Sequence, residues 1–297
     1  MAKNNINSRS IGPCADVKAG VDISKVLRGH FSNTKVAQEF IDKGLSVIED
    51  ELPKTIRYAD FGGGQGFLTK LITEWLISKG HKVDTYVIDA NSEYLKIAEQ
   101  EELKVQQCNL EECDFKEADL ITMRSVNHYN SADTQFEIIK NAFKSLKENC
   151  YLLSQISSGS DENCRLRSEI LNLKSFIKIK DKGEYYWAPV KEYIGFLEKA
   201  GFSNIAVVGN APGNHWSPEE QWVRFCGKEQ KEIESGGDAD KTADIKKQRK
   251  TFLEDAYALI NSYVDKYGQE KLDVEFAKDG VATINYLHPI VKSQKIK

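Results

Sequence analysis

Arg57-Tyr58-Ala59-Asp60-Phe61-Gly62-Gly63-Gly64-Gln65-Gly66-Phe67 decides how this chain is read. Ile56, Tyr58 and Phe61 are strand-like apolar residues, and beyond Gly66 the apolar positions Phe67, Leu68, Leu71, Ile72, Trp75 and Leu76 fall at helical spacing. A strand therefore passes through a glycine turn into a helix. Such a turn lets the backbone approach a ligand closely, and it points the helix's free N–H groups and positive dipole end at that ligand.

Several ligands use loops of this kind, and the details separate them. A phosphate-cradling loop ends in Gly-Lys-Ser/Thr, which is absent here. A dinucleotide fingerprint needs a third glycine at position 67, but Phe67 stands there and Gly62, Gly64 and Gly66 are spaced G-x-G-x-G. Asp60, two residues before the first glycine, repels a pyrophosphate and suits a ligand carrying an ammonium or sulfonium group. With Asp60, Gly62, Gly63, Gly64 and Gly66 so placed, the stretch resembles the first motif of the class I S-adenosylmethionine-dependent methyltransferases of small-molecule type. That resemblance implies S-adenosyl-L-methionine as cofactor and S-adenosyl-L-homocysteine as product. A glycine turn with no ligand is the alternative.

The strands that follow continue the resemblance. Val83-Asp84-Thr85-Tyr86-Val87-Ile88-Asp89 reads as a second strand finishing in an acid, about 20 residues after the loop, where a carboxylate can accept both hydroxyls of a ribose. Asp89-Ala90-Asn91 and the helix after it resemble the family's second motif. The third strand, residues 103–108, ends at Asn109-Leu110, where the family often carries an acid that bonds the adenine amino group; the Asn109 carbonyl can accept the same bond. Ala118 to Met123 is a fourth strand running out into Arg124-Ser125-Val126-Asn127-His128-Tyr129, on the edge of an open parallel sheet where ligands sit. The resemblance implies Arg124 and Ser125 beside the cofactor, and His128 with Tyr129 at the reacting groups. Imidazole titrates near neutral pH and can take a proton from a hydroxyl or amine nucleophile. The other reading is a histidine that bonds backbone while transfer relies on alignment alone.

Residues 131–147 form an amphipathic helix, followed by the strand Tyr151 to Ile156. Between residues 157 and 188 the pattern breaks, and in the family this interval often holds a substrate-covering insertion. Tyr185 and Trp187 share a face if that piece is extended, offering a flat surface to an aromatic, apolar or cationic substrate; core packing is the alternative. Pro189 to Ala200 reads as a helix and Asn204 to Val208 as a sixth strand, with His215 and Trp216 on a following loop near the substrate. Glu220 to Lys228 fits the family's final antiparallel strand. The expected fold is α/β, a Rossmann-like, doubly wound, mostly parallel seven-stranded sheet.

Residues 1–53 are expected to be N-terminal lid helices, the resemblance implying that His30 or Phe31 touches the cofactor, and residues 54–228 the methyltransferase core. Residues 229–297 read as a C-terminal extension: a charged linker, a helix from Phe252, and a hairpin turning at Asp279-Gly280. Such an extension covers the substrate site or joins two subunits as a homodimer.

The 297 residues bury a sizeable core, and 40% apolar content with a formal charge of −4 describes an ordinary chain whose partner is a small molecule rather than nucleic acid. No run approaches a membrane span and the polar opening is no signal peptide, so a cytoplasmic protein is expected. The six cysteines are scattered without zinc-ligand spacing and read as reduced thiols, with no metal. The expected reaction is displacement at a methyl carbon by an oxygen, nitrogen or carbon nucleophile. Alternatives are a non-methylating reaction on the same cofactor, such as a cyclisation, an RNA methyltransferase, disfavoured by the lack of a basic stripe, and a non-enzymatic interaction protein on the same fold.

Overall fold

The structure is a computed structural model that describes residues 34–176, 184–236 and 238–296. His30 and Phe31 lie outside the described residues. The chain divides into two compact units, one comprising residues 1–157, 190–212 and 288–297, the other residues 158–189 and 213–287.

The first unit opens with α1 (Thr34–Lys43), whose Val36, Ala37, Phe40 and Ile41 form one buried stripe, and two short 3-10 turns. Strands and helices then follow: β1 (Thr55–Phe61), α2 (Phe67–Ser78), β2 (Lys82–Asp89), α3 (Ser92–Gln100), β3 (Lys104–Gln107), β4 (Ala118–Arg124), α4 (Ala132–Ser145) and β5 (Leu146–Gln155), with only the 3-10 turn Leu110–Glu112 between β3 and β4. The central strands are nearly continuous apolar runs, as strands covered on both faces must be, with β4 buried at all but its last residue. α4 starts where the Ser131 hydroxyl accepts from Thr134 N. A shared core joins Phe40, Ile41, Leu45, Ile56, Tyr58, Ile72, Leu120, Leu153 and Ile290.

The strand order is β3-β2-β1-β4-β5-β8-β6, where β6 is Ser203–Trp216 and β8 is Ala282–Gln294. β1 to β5 pair in parallel and β8 is antiparallel to β5, with Tyr151 opposite Gln294 and Gln155 opposite Ile290. The order reverses between β1 and β4, the switch point at which open sheets bind ligands. A short strand, β7 (Val274–Phe276), pairs with β8, so among the described residues the sheet has eight strands rather than the seven expected.

The antiparallel strand comes from residues 282–294 and not from residues 220–228. The latter are helical: α7 (Pro218–Phe225) and α8 (Gly227–Ser235). Ser217 accepts from Glu220 N while Glu220 accepts from Ser217 N, with Pro218 in the first turn, so local capping outweighs the strand preference of Trp222, Val223 and Phe225. The stretch read as a charged linker holds α8 and the first half of the 29-residue α9 (Ala239–Tyr267). The expected hairpin is present, turning at Gly280 with φ +84°.

The second unit also holds α5 (Asp161–Leu171) and an aromatic core in which Phe176 stacks on Phe252 at 4.3 Å and meets Phe225 edge-on at 5.9 Å. In the first unit, α6 (Val190–Ala200) buries Tyr193 and Leu197. Among the described residues no helix is long and apolar enough to cross a membrane.

Candidate cofactor and acceptor site

The site is built on the carboxyl ends of β1 to β5. Asp60, near the end of β1, is 2% exposed. Its oxygens accept from Thr69 Oγ1 at 2.6 Å and Thr122 Oγ1 at 2.8 Å, and Tyr58 OH donates in turn to Thr122 Oγ1 at 2.7 Å. Burial pushes the Asp60 carboxyl up to about 6, against the two hydroxyl bonds and the positive charge of Arg124, which hold it down. The acid therefore braces the turn from beneath and supplies negative charge there.

The glycines of the loop do different things. Gly62 has φ +71°, and a Cβ there would meet Val126 Cγ2 at 2.4 Å; Gly66 has φ +81°, and a Cβ would meet Leu103 Cδ1 at 2.4 Å. A Cβ on Gly63 would press on Asp60 and Val87 at 3.0 Å. These three permit close packing of the strands around the turn. Gly64, with φ +57°, differs: a Cβ would meet nothing nearer than Tyr94 Cδ2 at 3.8 Å, so its side opens on space. Gly64 N donates to Asp89 Oδ2 at 3.0 Å, tying the loop to the tip of β2.

Asp89 also accepts from Asn91 N at 2.8 Å on its other oxygen. Burial raises its pKa, opposed by the N–H bonds of Asn91, Gly64 and Ala90. Asn91 is the N-cap of α3, its Oδ1 accepting from Glu93 N and Tyr94 N, so that carbonyl has its partners within the protein. The Ala90 carbonyl accepts from Gln107 Nε2 at 3.2 Å. At the end of β3, Asn109 Oδ1 is buried with no hydrogen-bond partner, and the neighbouring Leu110 carbonyl accepts from Asn141 Nδ2 at 3.1 Å. The Gln65 amide in the glycine loop is also buried with both ends unpartnered.

At the end of β4, burial lowers Arg124 to about 10, although Asp60 and Tyr58 favour its charged form. Ser125 has φ +58°, a conformation that disfavours a side chain, and its Oγ is buried without a partner. His128 is buried in the 3-10 turn Asn127–Tyr129, its ring 4.2 Å from that of half-buried Tyr129. Gln65, Asn127 and Gln155 are not legible from sequence: their amides look like any polar residue until the fold buries them near the carboxyl ends of the strands. The position of Gln65 inside the glycine motif was the one available signal.

Tyr185, Trp187, His215 and Trp216 belong to the second unit. Tyr185 and Trp187 are buried and stack with ring centroids 6.3 Å apart, Tyr185 meeting Phe225 edge-on at 5.5 Å. Trp216 is buried and His215 exposed, both on β6 rather than on a loop. Cys108 and Cys113 hydrogen-bond each other, which raises the first thiol and lowers the second. Among the described residues no group of three or more His, Cys, Asp or Glu is placed to hold a metal ion.

The donors and acceptors at these strand ends fit an adenosyl cofactor: a carboxylate tied to the loop, an unpartnered carbonyl oxygen one strand further out, and open space over Gly64. A family model described as a methyltransferase domain matches residues 33–207, over half the chain. No curated protein matches the chain significantly. Among solved structures, the YcgJ protein of Bacillus subtilis is similar over 91% of this chain and 100% of its own, at 13% identity and a TM-score of 0.60. Protein BH2331 of Bacillus halodurans C-125 is similar over 89% of this chain and 100% of its own, at 13% identity and a TM-score of 0.58. At those identities the structures speak for the fold, while the family match speaks for descent, and both lead to one place: the chain belongs to the methyltransferase-domain family, in its class I, S-adenosylmethionine-dependent form.

Proposed function

We propose that this enzyme transfers the methyl group of S-adenosylmethionine to an oxygen, nitrogen or carbon nucleophile of a small molecule. Bound at the glycine loop, the cofactor supplies an electrophilic methyl group on a positively charged sulfur. Asp89 accepts the ribose hydroxyls on the lone pairs that Gly64 N and Asn91 N leave over. Asn109 Oδ1 accepts from the adenine amino group, which gives that buried oxygen its missing partner. The buried charge of Asp60, shared with Thr69 and Thr122, favours a cation above the loop. His128 holds or removes the acceptor's proton as the new bond forms.

The observation that carries this reading is the Gly64–Asp89 hydrogen bond beside a loop position with open space above it. Titration calorimetry with S-adenosylhomocysteine tests it. Wild-type protein should bind, and Asp89→Ala should lose about 1.5–3 kcal/mol of that binding, the range for a hydrogen bond to a charged group. A folded wild type with no affinity for S-adenosylhomocysteine would sink the proposal.

A further inference from the structure

Neighbouring positions at the carboxyl ends of β4 and β5 carry buried polar atoms with no hydrogen-bond partner in the protein: Ser125 Oγ, Asn127 Oδ1, and both ends of the Gln155 amide. Gln155 is the last residue of β5 and is 1% exposed. It pairs with Arg124 across the sheet, and its carbonyl accepts from Ser125 N at 2.8 Å. Asn127 is held from one end. The Tyr193 hydroxyl donates to Ser154 Oγ at 2.8 Å and also bonds the Asn127 side chain, whose amide nitrogen is the end able to donate to it. The Asn127 oxygen is thereby left over.

Burying an amide with neither its donor nor its acceptor satisfied is destabilising, and methionine fills similar space without that cost. Buried polar groups find partners in native proteins, so an amide left bare at a ligand edge implies that a ligand supplies them. Asp89 and Asn109, which hold the adenosine in the proposed function, stand on or beside β2 and β3, on the other side of β1 from β4 and β5. The unpartnered atoms on the β4–β5 side are neutral, and they include amide N–H donors together with carbonyl and hydroxyl oxygens. An anion alone would leave Gln155 Oε1 bare, a cation would leave Gln155 Nε2 bare, and a hydrocarbon would leave both bare. A glutamine amide free at both ends matches an adjacent donor and acceptor on one molecule.

We infer, resting on the methyltransferase reading, that the methyl acceptor presents an adjacent hydrogen-bond donor and acceptor to Gln155, as an amide, a lactam or the edge of an amino-heterocycle does. The experiment uses the full chain saturated with S-adenosylhomocysteine and titrates it with benzamide, 2-pyridone, benzoate and toluene. Benzamide and 2-pyridone should bind at least about tenfold more tightly than benzoate or toluene, roughly what one satisfied amide pair contributes. In Gln155→Met that preference should vanish, S-adenosylhomocysteine affinity should stay within about twofold, and the ligand-free melting temperature should rise by about 2–4 °C because the bare amide is gone. Amide probes that bind no better than toluene, a preference that survives in Gln155→Met, or a variant that melts lower or fails to fold would each overturn the inference. The last of these would show that the amide has a structural partner. Absence of S-adenosylhomocysteine binding in the wild type defeats the methyltransferase reading itself, whereas cofactor binding without amide preference defeats the acceptor class alone.

Discussion

Asp60 has a pH signature that follows from its burial. Its folded pKa is raised from 3.8 to about 6, so the folded protein holds this proton more tightly than the unfolded chain does. Asp60 therefore favours folding below the unfolded value, and that contribution is lost as pH rises through about 6. A cationic cofactor favours the ionised carboxylate, which reverses the direction for binding. Affinity for S-adenosylmethionine should rise as pH increases from 5 to 7 and then level off, with a proton released on binding near pH 6. Calorimetry in two buffers of different ionisation enthalpy measures that release, and Asp60→Asn should flatten the profile. A wild-type affinity independent of pH over this range would show that the buried charge plays no part in binding.

At the scale of elements, Tyr193 ties α6 to β5. Tyr193 is fully buried, its hydroxyl bonded to Ser154 and to the Asn127 side chain, and burial pushes its pKa up to about 12, so it remains a donor across the working range. Tyr193→Phe should destabilise the protein by about 1–3 kcal/mol, because it strands buried polar groups on two other elements. Urea unfolding checks this, and an unchanged midpoint would mean that those groups find water instead. The helix α7 shows the converse case, an element specified locally. Its Ser217-Pro218-Glu219-Glu220 start satisfies the first N–H groups whatever the rest of the chain does.

For the whole molecule, β8 is the decisive piece. It lies in the sheet between β5 and β6, and its Ile290 is part of the core that holds Phe40, Tyr58 and Leu153. A chain ending at residue 281 exposes one edge of β5 and one of β6 and opens that core, and it should fail to fold cooperatively. Circular dichroism melts and limited proteolysis would decide. A truncated chain that melts sharply would mean that the last strand is an accessory to the sheet.

The sequence alone determined the glycine turn, the order of acids and amides at the first strand ends, and the alternation of strands and helices through Gln155. There β1, β2 and β4 are each followed by a helix, so period and capping are visible within a short window. It also carried the capping box of α7, although the aromatic residues after it read more readily as a strand. The tertiary structure decided what a window cannot hold. Residues 282–294 pair with a strand more than a hundred positions earlier, and Pro289 within them reads as a break until the partner is seen. Gly64 separates from Gly62, Gly63 and Gly66 only once the atoms each would strike are in place. The unpartnered amides of Gln65 and Gln155 acquire meaning only when folding withdraws them from water, because an amide in solvent always has a partner and a buried one has just what the fold or a ligand supplies.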